Sequence, residues 1–220
     1  MSVADALLFD LDGCLVDSLP AIRGCWERTL PRFGAALPSD AEVRRLAGPP
    51  VDEVARALLP GASPARIAEV VAAYRRCSLA AAGEVPAFPG VVELVGTLTD
   101  RGVVLGIATS KSIEVAEPVL DALGLRRSFA VIEGTRVDEL GVSKAIVVER
   151  ALAGLRGLGA PRPSALVGDR AHDVIGAHAH GLRAFGALWG YGGREELESS
   201  GADALLERPA DLLGLLRDPV

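Results

Sequence analysis

Ala6-Leu7-Leu8-Phe9-Asp10-Leu11-Asp12-Gly13 runs from four apolar residues straight into two aspartates two positions apart. Four consecutive apolar residues bounded by charge read as a short strand buried on both faces. Alternation along the end of such a strand sends Asp10 and Asp12 to the same side. At about 4 Å and an effective dielectric of about 20, two carboxylates repel by roughly 4 kcal/mol. The pair therefore needs a cation, a shared proton or intervening water. One reading is a metal site or an acid/base pair. The other is an ordinary Asp12-Gly13 turn with the second aspartate solvated.

Working outward, other strand-like runs also end in residues suited to phosphate and metal chemistry. Val103–Ala108 leads into Thr109-Ser110-Lys111, and Ala165-Leu166-Val167-Gly168 leads into Asp169, with Asp173 four residues on. Lys144 heads a helical stretch just after the turn-like Leu140-Gly141-Val142-Ser143. Open parallel sheets bind ligands beyond the carboxyl ends of their strands, so these residues are expected to converge. Strand-like runs at 103–108, 129–132, 165–167, 184–188 and 204–206 alternate with helical stretches, the last at Ala210–Leu216. That alternation specifies an α/β fold, a doubly wound, Rossmann-like parallel sheet.

In this order, Asp10-Leu11-Asp12-Gly13, Thr109, Lys144 and Gly168-Asp169 with Asp173, the chain resembles the haloacid-dehalogenase superfamily of phosphatases and phosphotransferases. The resemblance implies that Asp10 attacks phosphorus and becomes an aspartyl phosphate, while Asp12 acts as acid and then base. It implies magnesium, a hard cation that prefers oxygen ligands, held by Asp10, Asp12 through its backbone carbonyl, Asp169 and Asp173. Thr109 and Lys144 would stabilise the transferring phosphoryl group. Thr109 also suits a strand end or a helix cap, and Asp173 also reads as a helix-face charge beside Arg170. Lys144 and Lys111 are the two lysines of a chain that otherwise uses arginine, and an ammonium is a more compact cation than a guanidinium.

Cys14 stands where the superfamily usually has threonine. Its acidic neighbours Asp10, Asp12 and Asp17 raise a thiol pKa and oppose a nucleophilic role. Gly168 to Asp173, Gly176-Ala177, Trp189-Gly190-Tyr191-Gly192, Glu196-Leu197 and Gly201-Ala202-Asp203 resemble the phosphoglycolate phosphatase and 5′-nucleotidase-like branch. Gly48-Pro49-Pro50 resembles that branch's substrate-specificity loop, so Gly48 is placed at the substrate, and Ser110 is placed there as the neighbour of Thr109 at the strand end. Arg45, Arg75 and Arg23 are candidates to face the leaving group, each with a solvated helix face as the alternative. His172, His178 and His180 fall near one helix without the spacing of a zinc site.

Helical periodicity from Ile22 to Phe33 and from Ile67 to Tyr74 predicts an all-α cap at residues 18–82, inserted in a catalytic core of residues 1–17 and 83–220. The connecting strands, Val16 to Ser18 and Glu84 to Pro89, are its expected hinges. The insertion contains no lysine, which argues against phosphonoacetaldehyde hydrolysis through a Schiff base, and Asp12 argues against a dehalogenase. A two-component receiver domain also gathers aspartates, threonine and lysine at a sheet end. Its phosphoacceptor lies on a later strand, and it has no such lid.

The expected function is a magnesium-dependent phosphatase acting on a small phosphate monoester such as phosphoglycolate or a nucleoside or sugar monophosphate. The alternatives are a phosphomutase and a catalytically inactive phosphate-binding regulator. A net charge of −6 disfavours nucleic acid and anionic membranes as partners. Three cysteines without a C-x-x-C pair and no long apolar run or leader fit a cytoplasmic setting. The expected assembly is a monomer or homodimer.

Overall fold

A computed structural model describes residues 6–216 of the chain. Its centre is a six-stranded, all-parallel sheet in the order β3-β2-β1-β4-β5-β6. The strands are β1 (Ala6–Phe9), β2 (Val104–Ser112), β3 (Phe129–Thr135), β4 (Ala165–Gly168), β5 (Arg183–Ala187) and β6 (Ala204–Leu206). Strand order reverses on either side of β1, which opens a crevice at the carboxyl ends of β1, β2 and β4.

The four apolar residues of β1 are all buried and divide by strand alternation between two cores. Leu7 and Phe9 join the cluster that includes Leu94 and Leu98 of α5 (Val91–Asp100) and Val115, Val119 and Leu120 of α6 (Ile113–Ala122). Leu8 joins Val147, Val148, Ala151 and Leu155 of α7 (Lys144–Gly157) and Val174 and Ala177 of α8 (Ala171–His178). The doubly wound reading holds.

Between β1 and the rest of the sheet the chain builds α1 (Leu19–Thr29), α2 (Asp40–Leu46), α3 (Val51–Leu58) and α4 (Pro64–Ala80). Proline opens α1 and α4 within the first turn, where its missing N–H costs nothing. Ser39 caps α2 in a reciprocal box with Glu42. These helices bury their own apolar cluster, with Trp26 and Tyr74 stacked at a ring-centroid distance of 4.2 Å. Cys25 on α1 and Cys77 on α4 form a disulfide with Cα atoms 5.5 Å apart, and Cys14 is free and buried. The lack of a C-x-x-C pair concealed that bond, since helix packing joins residues 52 apart in sequence.

Three local expectations are corrected. The second strand continues through Thr109-Ser110-Lys111 to Ser112, so these residues belong to β2 itself. The terminal Ala210–Leu216 stretch forms a 3-10 turn at Pro209–Gly214, where proline and a Asp211 carboxylate bonded to the Arg208 N–H favour a tight start. β1 ends at Phe9, so Asp10 and Asp12 come together through a loop rather than by strand alternation. That loop turns back at Gly13, whose N–H bonds to the Val16 carbonyl at 3.0 Å. Among the described residues, no helix is long and apolar enough to cross a membrane. After α8 the chain forms α9 (Arg194–Ser199), which closes the second face.

Candidate active site

Parallel pairing fixes the site's frame. Phe9 sits opposite Ile107 on one side and Val167 on the other, and the Asp10 N–H continues the ladder to the Val167 carbonyl at 2.8 Å. Asp10 is thereby set between Thr109 and Asp169, at the ends of three adjacent strands. Oxygens of Asp10, Asp169 and Asp173 lie within 4.8 Å of one another, and all three residues are buried.

Lys144, in the first turn of α7, reaches Asp10 Oδ1 at 2.8 Å and Asp173 Oδ1 at 2.6 Å. Burial alone would lower its pKa, but the two carboxylates outweigh burial and hold the ammonium charged. Burial pushes the Asp10 pKa up to about 6 against the opposing pull of Lys144. Burial also raises Asp169, helped by the charges of Asp173 and Asp10 and opposed by the Tyr191 N–H. The other Asp173 oxygen accepts the Asp169 and Arg170 N–H groups at 3.1 and 3.0 Å. Asp173 is thus tied into the cluster rather than solvated on a helix face.

Asp12 takes a different partner. Its Oδ2 pairs with Lys111 Nζ at 2.8 Å, while Oδ1 has no hydrogen-bond partner. Lys111 was readable as the end of the Thr109-Ser110-Lys111 run and as one of two lysines; its pairing with Asp12 depends on the extra length of β2. Thr109 is buried and its hydroxyl accepts the Lys111 N–H at 3.3 Å. Asp10, Asp12, Thr109, Ser110 and Gly48 all line one cavity between the strand ends and the helical insertion.

The donor set fits a hard divalent cation. It is all oxygen, it is buried, and Asp169 Oδ1 has no partner among the described residues. Gly13, at φ +81°, leaves space for the Asp169 carboxylate, since a Cβ there would come within 2.2 Å of it. Cys14 is no nucleophile: burial first, then Asp10 and Asp169, drive its thiol pKa well up.

The cap-side candidates divide. Arg75 lines the cavity, but its guanidinium donates to the carbonyls of Val137 and, at 3.2 Å, Glu139. Arg45 is exposed and is not part of the lining; its contribution is a backbone carbonyl. Arg23 pairs with Glu27 and Asp40. His178 pairs with Asp203 and His180 with the Ala145 carbonyl, so the histidines do not gather.

A residue that the sequence marked only as a neighbour of Asp173 ties the loop around Gly48 to the strand ends. Arg170, next to Asp169 and buried, donates to the Ala47 carbonyl and, at 3.1 Å, to the Arg45 carbonyl. Glu196 holds its Nε at 2.8 Å and also accepts the Ala171 N–H at 2.9 Å. Gly48, at φ +115°, lets the cap loop lie against this arginine, whose Cγ would be 3.0 Å from an added Cβ.

Comparison with known proteins agrees with this arrangement. Tyrosine-protein kinase PtkA of Mycobacterium tuberculosis is 38% identical over 187 residues, which cover 84% of this chain and 62% of that protein. The chain thus spans less than two thirds of that relative's length. Phosphoglycolate phosphatase of Synechococcus elongatus is 35% identical over 215 residues, covering 94% of this chain and 95% of that one. The crystal structure of a predicted phosphatase from Clostridium acetobutylicum superposes with a TM-score of 0.87 at 27% identity, covering 97% of this chain and 98% of that one. The family model described as haloacid dehalogenase-like hydrolase matches residues 7–187, from β1 through the end of β5. With that match spanning five of the six strands, the insertion and the acidic cluster, the chain belongs to the haloacid dehalogenase-like hydrolase family.

Proposed function

We propose that the protein is a magnesium-dependent phosphatase that hydrolyses a small phosphate monoester through an aspartyl phosphate on Asp10. The observation that carries this reading is the meeting of Asp10, Asp12, Thr109, Lys144 and Asp169 at three adjacent strand ends, with the Asp169 Oδ1 oxygen unpartnered.

In the first half-reaction a carboxylate oxygen of Asp10 attacks phosphorus, and the phosphorus–oxygen bond to the alcohol breaks. Asp12 gives its proton to the departing alkoxide. In the second, Asp12 takes a proton from water, whose oxygen attacks the phosphoaspartate and releases inorganic phosphate with Asp10 restored. Lys144 offsets charge on Asp10 and on the phosphoryl oxygens, and the Thr109 hydroxyl donates to one of them. Asp10, Asp169 and Asp173, with the Asp12 backbone carbonyl, would hold the magnesium. When bound, it would supply Lewis-acid stabilisation of the phosphoryl oxygens.

The relatives' names divide between phosphate release and phosphoryl transfer, and both begin by taking a phosphoryl group from a donor. Hydrolysis is preferred because the relative named for phosphate release aligns over 94% of this chain and 95% of its own length, whereas the one named for transfer is covered to 62%.

Inorganic phosphate release from phosphoglycolate, nucleoside monophosphates, sugar phosphates and an aryl phosphate, with and without magnesium, tests the reading. Metal-dependent release that Asp10→Asn abolishes, with the fold intact, is the expected result. Turnover that persists in the purified variant would overturn the assigned nucleophile. Silence across the panel would favour a mutase or a non-catalytic phosphate binder.

A further inference from the structure

The cavity above Asp10 has two chemically unlike walls. Toward the strand ends it is lined by carboxylates, hydroxyls and Lys111, the end suited to a phosphate. Toward the insertion it is faced by Ile22, Trp26, Leu46, Val51, Val54 and Tyr74. This second wall is where a leaving group must lie, because Asp10 defines the side from which phosphorus is attacked.

Arg75 is the one cation that the insertion contributes to this lining among the described residues. Each of its two terminal nitrogens gives one N–H to a backbone carbonyl, of Val137 and of Glu139, while its buried Nε has no partner among the described residues. Its charge already faces Glu114, Asp52, Asp138 and Glu139. Across the cavity, Lys111 is paired with Asp12, and Lys144 with Asp10 and Asp173. The phosphate itself will compete for both ammonium groups. A second anion on the leaving group would therefore lose water without gaining an uncommitted cation, which disfavours it against a neutral group of the same shape.

We infer that the site takes phosphate esters of compact, uncharged and largely apolar alcohols, and discriminates against leaving groups that carry a carboxylate or a second phosphate. The Ser78 hydroxyl on this wall suits a neutral oxygen, whereas a carboxylate is best met by a paired fork of donors, and the Arg75 fork is already turned to two backbone carbonyls. The inference rests on the phosphatase reading for the phosphate end of the cavity, and on the walls alone for the other end. It separates this chain from phosphoglycolate despite the 35% identity with a relative of that name.

The test uses pairs matched in shape and differing in charge. With magnesium present, 3-methylbutylphosphonate should bind at least about tenfold more tightly than 3-phosphonopropanoate, measured by calorimetry. In turnover, 2-methylpropyl phosphate should exceed phosphoglycolate in kcat/KM by a similar factor of about ten. Equal or tighter binding of the carboxylate ligand overturns the inference, as does failure of both phosphonates to bind at millimolar concentration. The expected binding order without phosphate release from either ester supports the inference and instead overturns the phosphatase reading. Arg75→Gln should alter both affinities alike, within about twofold in their ratio. Selective loss of the carboxylate ligand in that variant would make Arg75 an anion anchor and overturn the inference.

Discussion

The two walls of the cavity solve the problem of buried polarity in opposite ways. On the strand side, charge is met by charge: Lys144 lies within 2.8 Å of Asp10 and of Asp173, and Lys111 within 2.8 Å of Asp12. On the insertion side the wall is mostly apolar, and Arg75 in it and Arg170 beside it donate to backbone carbonyls. The difference separates reaction from selection. Groups that must change charge during phosphoryl transfer sit at rigid strand ends, while groups that sort leaving groups sit on helices packed around Trp26 and Tyr74.

Removing Lys144 strikes the charged wall hardest. Lys144→Met leaves Asp10 and Asp173 buried without their shared cation, which raises the Asp10 pKa further above about 6. We expect kcat/KM to fall by about 10²-fold to 10³-fold, the scale seen when one charge-stabilising donor is lost, with the acid limb of the pH profile displaced to higher pH. Magnesium should act in the reverse direction, because a cation favours ionised Asp10 and draws that limb downward as its concentration rises. A variant that keeps wild-type turnover would show that Lys144 is only a structural partner of Asp173.

Arg170→Ala probes the join between the walls. Its guanidinium is the tie from the residue after Asp169 to the Ala47 and Arg45 carbonyls, so its loss frees the loop around Gly48 without touching Asp10. The expected signature is a KM increase of about tenfold, roughly what 1.4 kcal/mol of lost positioning produces, with a smaller change in kcat. Arg170→Lys should not rescue it, since an ammonium lacks the planar fork that serves two carbonyls and Glu196 together. A fall confined to kcat would move Arg170 from cap positioning to the metal-binding cluster.

How far each wall could be read in advance follows from the same division. Asp10 and Asp169 were legible because a buried parallel strand is a short apolar run and its carboxyl end is the next residue, and Thr109 because the apolar run of β2 stops at Ala108 although the strand itself continues to Ser112. Lys144 was legible as a lone ammonium in the first turn of a helix. Lys111 was underread because β2 continues past Ala108, and strand ends are weakly marked when polar residues remain paired. Arg170, the Asp52 carboxylate that accepts the Gly141 N–H at 3.0 Å, and the Cys25–Cys77 bond join segments 52 to 125 residues apart. No local period encodes such contacts. Arg75 was visible as a residue, but its commitment to two carbonyls was not, because a carbonyl has no signature in sequence.

The smallest expected effect lies on the loop that precedes Lys144. Glu139 accepts both terminal nitrogens of Arg150, at 2.7 and 2.8 Å, and the Arg136 N–H at 3.0 Å. The Arg150 side chain, more than the Arg136 N–H, lowers its pKa from the usual 4.5 to about 2. A carboxylate depressed on folding stabilises the fold above its unfolded value and ceases to do so as pH falls through its folded value. Its contribution should therefore be complete above about pH 4.5 and decay toward about pH 2. Melting curves of wild type and Glu139→Gln should differ by a small amount at neutral pH and converge on acidification. Because the Glu139 carbonyl also receives Arg75, the neutral-pH difference should be accompanied by weaker binding of every phosphonate alike. A difference that persists unchanged at pH 2 would assign the loop's order to its backbone contacts with Arg75 and Asp52 rather than to the ion pair.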